Sequence, residues 1–401
     1  MAVEPMVAPQ YPGTGQHILS DGTPLEDLVR VEERKVAARV QSDPEIFELE
    51  LERIFDRTWV FVAHETEIPN PGDFVTRYIG RDPVIVTRGD DGGIHVMLNV
   101  CSHRGGEVCR ADFGNSSTFQ CGYHGWIYKN TGQLRAVPAQ MIYYEQGFEK
   151  AQLGLKTARV GISHGLVFAT WNESAPSIEE HIGETMSFYY DLIFNRTEEG
   201  MEVARPPQRW TVKANWKIAS ENFSVDNTHP MTLHKFVFDL DLLPKAEVAD
   251  LNNLTLVSDP DRGHAFMAGI IPSFEGFPED QALDITCAIL GIPEETKPVV
   301  LERLDTPLKR KALLSVLPTI CNLFPNFSII NINLPTERGQ QPFGVPHFVS
   351  IRMWYPKAAN EMEIWTWTLV MKGVPEEVKR VAALTSLRTF GPGGTFEQDD
   401  S

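Results

Sequence analysis

Cysteines are few in this chain, basic residues are outnumbered, and no apolar run is long. Five cysteines in 401 residues, Cys101, Cys109, Cys121, Cys287 and Cys321, are too sparse and odd in number for a disulfide framework. They suit a reducing compartment in which thiolates hold metal. The 36 Lys and Arg against 54 Asp and Glu leave a formal net charge of -18, which argues against a nucleic-acid backbone or an anionic membrane as the main partner. Apolar stretches such as AFMAGIIP fall short of the roughly 18 residues a membrane helix needs. The opening MAVEPMVAPQYPGTG lacks a basic start followed by an apolar run, so a cytoplasmic location is expected. What is present is ordinary globular composition, 42% hydrophobic and 22% charged, in a chain long enough for two or three domains.

No repeat or low-complexity tract marks boundaries, so element type must. Residues 25–57 place apolar side chains at mixed spacings of three and four and read as helical. From 73 to about 170, PVIVTR, IHVMLNV, WIY and LVFATW alternate with turn-rich GDDGG and KNTG, the pattern of a small all-β domain. Beyond about 205, strand-like RWTVKA, FVSIRMWY and EIWTWTLVM lie among helical stretches such as PEEVKRVAALTSLR, which predicts a larger α+β domain.

Two constellations carry chemistry. CSHRGG supplies Cys101 and His103, CGYHGW supplies Cys121 and His124, and seventeen residues separate His103 from Cys121. In an extended segment Cys101 and His103 point the same way, Cys121 and His124 converge from a tight turn, and the flanking glycines let backbone approach sulfur closely. Two thiolates and two imidazoles suit either a structural zinc or a Rieske-type [2Fe-2S] centre. The mixing of Cys with His in each loop favours the cluster, since zinc fingers pair like with like. Cys109, Cys287 and Cys321 read as small buried hydrophobes.

The second constellation is NWKIASENFSVDNTHPMTLH. Residues 215–229 read as a helix with Asn222, Asp226 and His229 on one face. Pro230 ends or kinks that helix, so that His234 can turn back toward His229. Two imidazoles and one carboxylate make the facial triad of ferrous oxygenases. The carboxylate is open on spacing alone: Asp226 is near, and the tail FGPGGTFEQDDS offers Asp399 and Asp400. Asn222 is a neighbour of this site or only a hydrogen-bonding partner of the backbone.

Taken in order, CSHRG, CGYHGW, NWK…ENFSVDNTHPMTLH and FGPGGTFEQDD resemble the large (α) subunit of the Rieske non-haem iron aromatic-ring-hydroxylating dioxygenases, over nearly the whole chain. The resemblance implies an α+β protein: an N-terminal helical segment (1–57) packing on the catalytic domain, a Rieske [2Fe-2S] all-β domain (58–172), and a catalytic domain (173–401) of helix-grip type, with a curved antiparallel sheet covered by helices. It implies Cys101, His103, Cys121 and His124 as cluster ligands and His229, His234 and Asp400 as ligands of a mononuclear Fe(II). Asp226 matches a bridge between an iron-ligand histidine and a Rieske histidine of the neighbouring subunit. Phe223, Phe238, Phe390 and Phe396 match pocket positions, where aromatic walls suit a flat apolar ring. Arg352 or Arg388 would be the basic residue for a carboxylated substrate. The family continues past the aspartate pair, so the C-terminal part is expected to be incomplete.

The implied activity is cis-dihydroxylation of an aromatic ring with O2 and electrons from NADH through a reductase and ferredoxin, in an α3 or α3β3 assembly. A Rieske monooxygenase or demethylase is the alternative, and a zinc-stabilised binding protein a remote one. Arg104, Arg110, Lys129 and Arg135, near the cluster loops, are candidates for a patch that docks an acidic ferredoxin.

Overall fold

A computed structural model of the chain describes residues 17–400 apart from 145–147, 227–228, 230–231, 241–254, 260, 270–277, 290–291, 293, 316 and 332–347. The N-terminal segment departs from the helical expectation. Val29–Arg30 and Lys35–Val36 pair as a short antiparallel hairpin, and the α-helix spans only Pro44–Glu50 before a π turn at Leu51–Phe55. Two local signals explain this. Val29, Val31 and Val36 are β-branched and exposed, which favours extended backbone. Asp43 accepts a hydrogen bond from the Glu45 amide (2.9 Å) with Pro44 at the first helical position, which sets the helix start late.

The expected β block forms three small antiparallel sheets. One runs Ile94–Leu98, Asp82–Arg88, Asp73–Ile79, Phe113–Asn115; a second runs Leu134–Ala136, Ile127–Lys129, Thr118–Gln120; a third runs Arg159–Ser163, Leu166–Thr170, Val60–His64. Between the first two lies a separate core of Phe74, Ile85, Met97, Phe119, Trp126, Tyr128 and Leu134, into which Cys101 and Cys121 also point.

The remainder is built on an eight-stranded antiparallel sheet, in the order Met201–Val203, Glu361–Met371, Val349–Ala358, Phe327–Ile330, Leu317–Leu323, His264–Gly269, Thr255–Asp259, with Gln208–Val212 also pairing to Glu361–Met371. It is covered on both faces, so its strands alternate between two cores instead of between core and water. Val349, Ile351, Met353 and Tyr355 face one core with Phe61, Phe327 and Trp367. Trp354 faces the other, shared with Phe223, Phe390 and Phe396, and by period two Arg352 belongs to that second face. Helix Trp216–Val225 packs across the four central strands of that face, and helix Glu376–Phe390 packs against Glu361–Met371.

The two halves are joined by buried contacts. Arg77 is 3% exposed, pairs with Glu67 (2.5 Å) and lies over the Trp365 ring (4.7 Å). Thr66 Oγ1 accepts from the Val203 amide (3.0 Å). No helix among the described residues is long and apolar enough to cross a membrane.

Candidate active site

The two cluster loops have the same backbone. Cys101 N donates to Gly106 O (2.8 Å) while Gly105 N donates to Cys101 O (2.9 Å); Cys121 N donates to Trp126 O (2.9 Å) while Gly125 N donates to Cys121 O (3.0 Å). Gly105 and Gly125 both sit at φ 72°, in the left-handed region where a Cβ is strained. Cys101 therefore lies in a turn like that of Cys121, and the expectation of an extended Cys101–His103 segment is corrected. The hydrogen bonds that close each turn account for it.

The donor set fits a cluster. Cys101 and Cys121 are buried, and the His103 and His124 rings are 4.6 Å apart. His103 stacks on Trp126 (4.9 Å, 7°), and its buried Nδ1 has no hydrogen-bond partner among the described residues. Burial, then the His124 imidazole and Arg104, hold His103 below its ordinary pKa, which keeps it in the neutral form that binds metal. Tyr128 Oη lies 3.1 Å from Cys101 Sγ and accepts from the Ser102 amide (3.2 Å); burial and that thiol raise the phenol's pKa. Neither Trp126 nor Tyr128 was foreseen as a supporting residue, although both sit in or just after CGYHGW. Cys109, Cys287 and Cys321 are buried.

The second constellation is assembled from distant segments. At its start, the Asn215 side chain accepts from Lys217 N (3.0 Å) to cap the helix, while Glu50 takes Trp216 Nε1 (2.9 Å) and Lys217 Nζ (2.6 Å). The NWK triplet thus fastens the helix to the N-terminal segment. The helix ends at Val225, so the expected continuous face through Asn222, Asp226 and His229 is not formed. Asp226 is already non-helical (φ -88°, ψ 83°), and its Oδ1 accepts from the His229 amide (3.2 Å), the local hydrogen bond with which aspartate competes against helix. Pro230, expected to kink the chain, lies outside the described residues.

His229 and His234 nevertheless meet, with ring centroids 5.2 Å apart. His229 Nδ1 is 2.8 Å from the Asp226 carbonyl and 3.6 Å from its carboxylate, so Nδ1–H donates and Nε2 keeps its lone pair. His234 is buried, with Phe396 at 5.1 Å. Phe396 in turn touches Phe390 (5.6 Å), and Phe223 meets Trp354 (4.9 Å). Asn222 is half-buried on the helix. Asp399 and Asp400 fall in the short helix Glu397–Asp400; their side chains, and that of Phe238, lie outside the described residues. Among the described residues no group of three metal-binding side chains closes.

Arg352, a candidate partner for a substrate carboxylate, is already occupied. It is 2% exposed and donates to Glu397 Oε2 (2.6 Å) and Phe390 O (2.8 Å). Arg388 lies on the exposed side of its helix. Arg104, Arg110, Lys129 and Arg135 are all exposed.

Residues 58–145 match the Rieske [2Fe-2S] domain. The biphenyl 2,3-dioxygenase subunit alpha of Rhodococcus jostii (strain RHA1) is 36% identical over 384 residues, covering 94% of this chain and 78% of that protein. This chain belongs to the alpha subunits of the Rieske aromatic-ring-hydroxylating dioxygenases. It is also 37% identical, over 96% of its length and 82% of the relative, to the N,N-dimethyl phenylurea N-demethylase subunit alpha of Sphingobium sp. (strain YBL2). The solved naphthalene 1,2-dioxygenase from Rhodococcus sp. bound to indole superposes with a TM-score of 0.81 at 36% identity, covering 91% of this chain and 80% of that one. Membership of this dioxygenase family makes the chain an oxidoreductase with a Rieske domain and removes the zinc-stabilised binding protein.

Proposed function

We propose that this alpha subunit takes electrons at a cluster held by Cys101, His103, Cys121 and His124. It then cis-dihydroxylates an apolar aromatic ring at a ferrous site held by His229, His234 and Asp400. The observation that carries the second site is the His229 Nδ1 contact to the Asp226 carbonyl at 2.8 Å, because it fixes the tautomer whose Nε2 binds metal. When bound, the cluster supplies single electrons and the ferrous iron supplies dioxygen activation beside the substrate.

The chain's own residues do the rest. Phe396 holds the His234 ring in place. Phe223, Phe390 and Phe396 form apolar walls that orient a flat ring and exclude water, and Phe238 is assigned to the same pocket from its place in the sequence alone. Asn222 borders the site from the helix. Asp226, with a side chain 40% exposed, and His124, which is exposed, both reach the surface, which suits the carboxylate as a bridge for electron transfer across a boundary between copies in an α3 or α3β3 assembly. NADH would act through a reductase and ferredoxin, docking by the exposed Arg104, Arg110, Lys129 and Arg135. The engagement of Arg352 with Glu397 supports a hydrocarbon over a carboxylated substrate, since a buried cation already paired offers little to a second anion.

Anaerobically purified protein should contain about three irons and two sulfides per chain, and should turn over biphenyl or naphthalene in preference to benzoate. Exclusive use of benzoate-type acids would defeat the apolar assignment. The similarity to an N-demethylase favours a second reading, single-oxygen transfer; one labelled oxygen atom in product from labelled dioxygen, where dihydroxylation gives two, would establish it.

A further inference from the structure

We infer that Arg352 and Glu397 form a positioning pair that fixes the helix carrying Asp400 relative to His229 and His234. This rests on the reading of Asp400 as an iron ligand.

Arg352 sits on a central strand, on the sheet face that bears the site, and one guanidinium reaches three segments. Its Nη1 donates to Glu397 Oε2 at 2.6 Å, and its Nη2 to Phe390 O at 2.8 Å. Its carbon lies 5.7 Å from both the Phe223 and Phe390 rings, 5.5 Å from Trp354 and 5.9 Å from Trp210. Phe223 belongs to the helix that leads into Asp226 and His229. Phe390 is the last residue of helix Glu376–Phe390, whose terminal carbonyls are unpaired within the helix and favour a cation. Glu397 opens the turn that carries Asp399 and Asp400.

The turn between them is tight. Phe396 N donates to Thr389 O (3.0 Å) and Thr395 N to Arg388 O (2.8 Å), and a Cβ on Gly394 would stand 2.5 Å from Thr389 O. A four-residue helix has little stability of its own, so its direction is set by what anchors it. Arg352 and Glu397 are 2% and 3% exposed, and a charge-assisted bond in so dry a place has one geometry. The pair therefore acts on the metal site through Asp400 without touching substrate.

The test is ferrous affinity of cluster-loaded protein, by competition with a chelator, in the natural chain, Glu397→Gln, Arg352→Met and Arg352→Lys, with visible cluster absorption and thermal midpoint followed alongside. Glu397→Gln and Arg352→Met should keep the cluster and lose on the order of 10- to 100-fold in ferrous affinity, the range for residues behind a ligand, and Arg352→Lys should recover part of it. Unchanged affinity in folded, cluster-bearing variants overturns the pair's role. Loss of the cluster together with the iron in every variant also overturns it, because the pair would then serve the whole fold. A natural chain that keeps its cluster but binds no more ferrous iron than His229→Ala overturns the underlying reading of the iron site itself.

Discussion

The cluster loops and the proposed iron site are built in opposite ways. Each cluster loop closes on itself: a cysteine amide and carbonyl bond within five residues, a positive-φ glycine makes the turn, and both loops sit on a core of their own. The proposed iron site has one local turn, from Asp226 to His229, and otherwise depends on long-range contacts. Helix Trp216–Val225 is fastened to Glu50, His234 is packed by Phe396, and the turn ending in Asp400 is tied to Arg352. A site made of short loops tolerates change elsewhere, whereas one assembled from segments more than a hundred residues apart inherits the rigidity of everything between them.

The largest effect that would test this contrast is local. Cys121→Ala should abolish cluster absorption while the thermal midpoint of the sheet-bearing half changes little; loss of both together would show that the loops are not an independent unit. Next is Asp226→Asn, which should retain cluster and iron yet lose most coupled turnover, at least on the order of 10- to 100-fold as for other residues that orient ligands. Full product formation in that variant would remove the bridging role.

The smallest is the pH response of the assembled half. His181 Nε2–H donates to Phe324 O (3.2 Å), while His264 Nε2–H donates to His181 O (2.7 Å) and accepts at Nδ1 from Phe324 N (3.0 Å). Burial lowers their pKa values from 6.5 to about 3 and about 4. The unfolded chain takes up these protons below about 6.5 and the folded chain does not until the lower values. Stability is therefore fully present above pH 6.5 and falls as pH drops toward 4, by up to about 1.4 kcal/mol per pH unit for each histidine. Thermal midpoints between pH 7 and 4.5 check this, and His264→Gln should flatten the slope.

The Rieske domain was legible because its chemistry is written in contiguous motifs, and a mixed Cys and His turn has few other uses. His229 and His234 were legible as residue types, but the helix expected to carry them stops at Val225, since the Asp226 side chain captures a local amide that helical spacing alone does not reveal. The N-terminal hairpin was missed for a similar reason: apolar residues at mixed spacing satisfy both periods, and the exposed valines decided for strand. Arg352 read as a potential anion site because a strand's alternation says which face a side chain takes and not what waits there.

Sequence by itself determined the class of the protein, the pairing of a cysteine with a histidine in each of two short motifs, and the strand-like runs of the second half. Those depend on neighbours along the chain, within a turn or a period of two. Only the tertiary structure decided that Arg352 meets Glu397, that Glu50 holds Trp216, and that Phe396 packs on His234. Each of these joins residues far apart in sequence, and a charge or ring buried in a low-dielectric core takes the partner that the whole fold delivers to it.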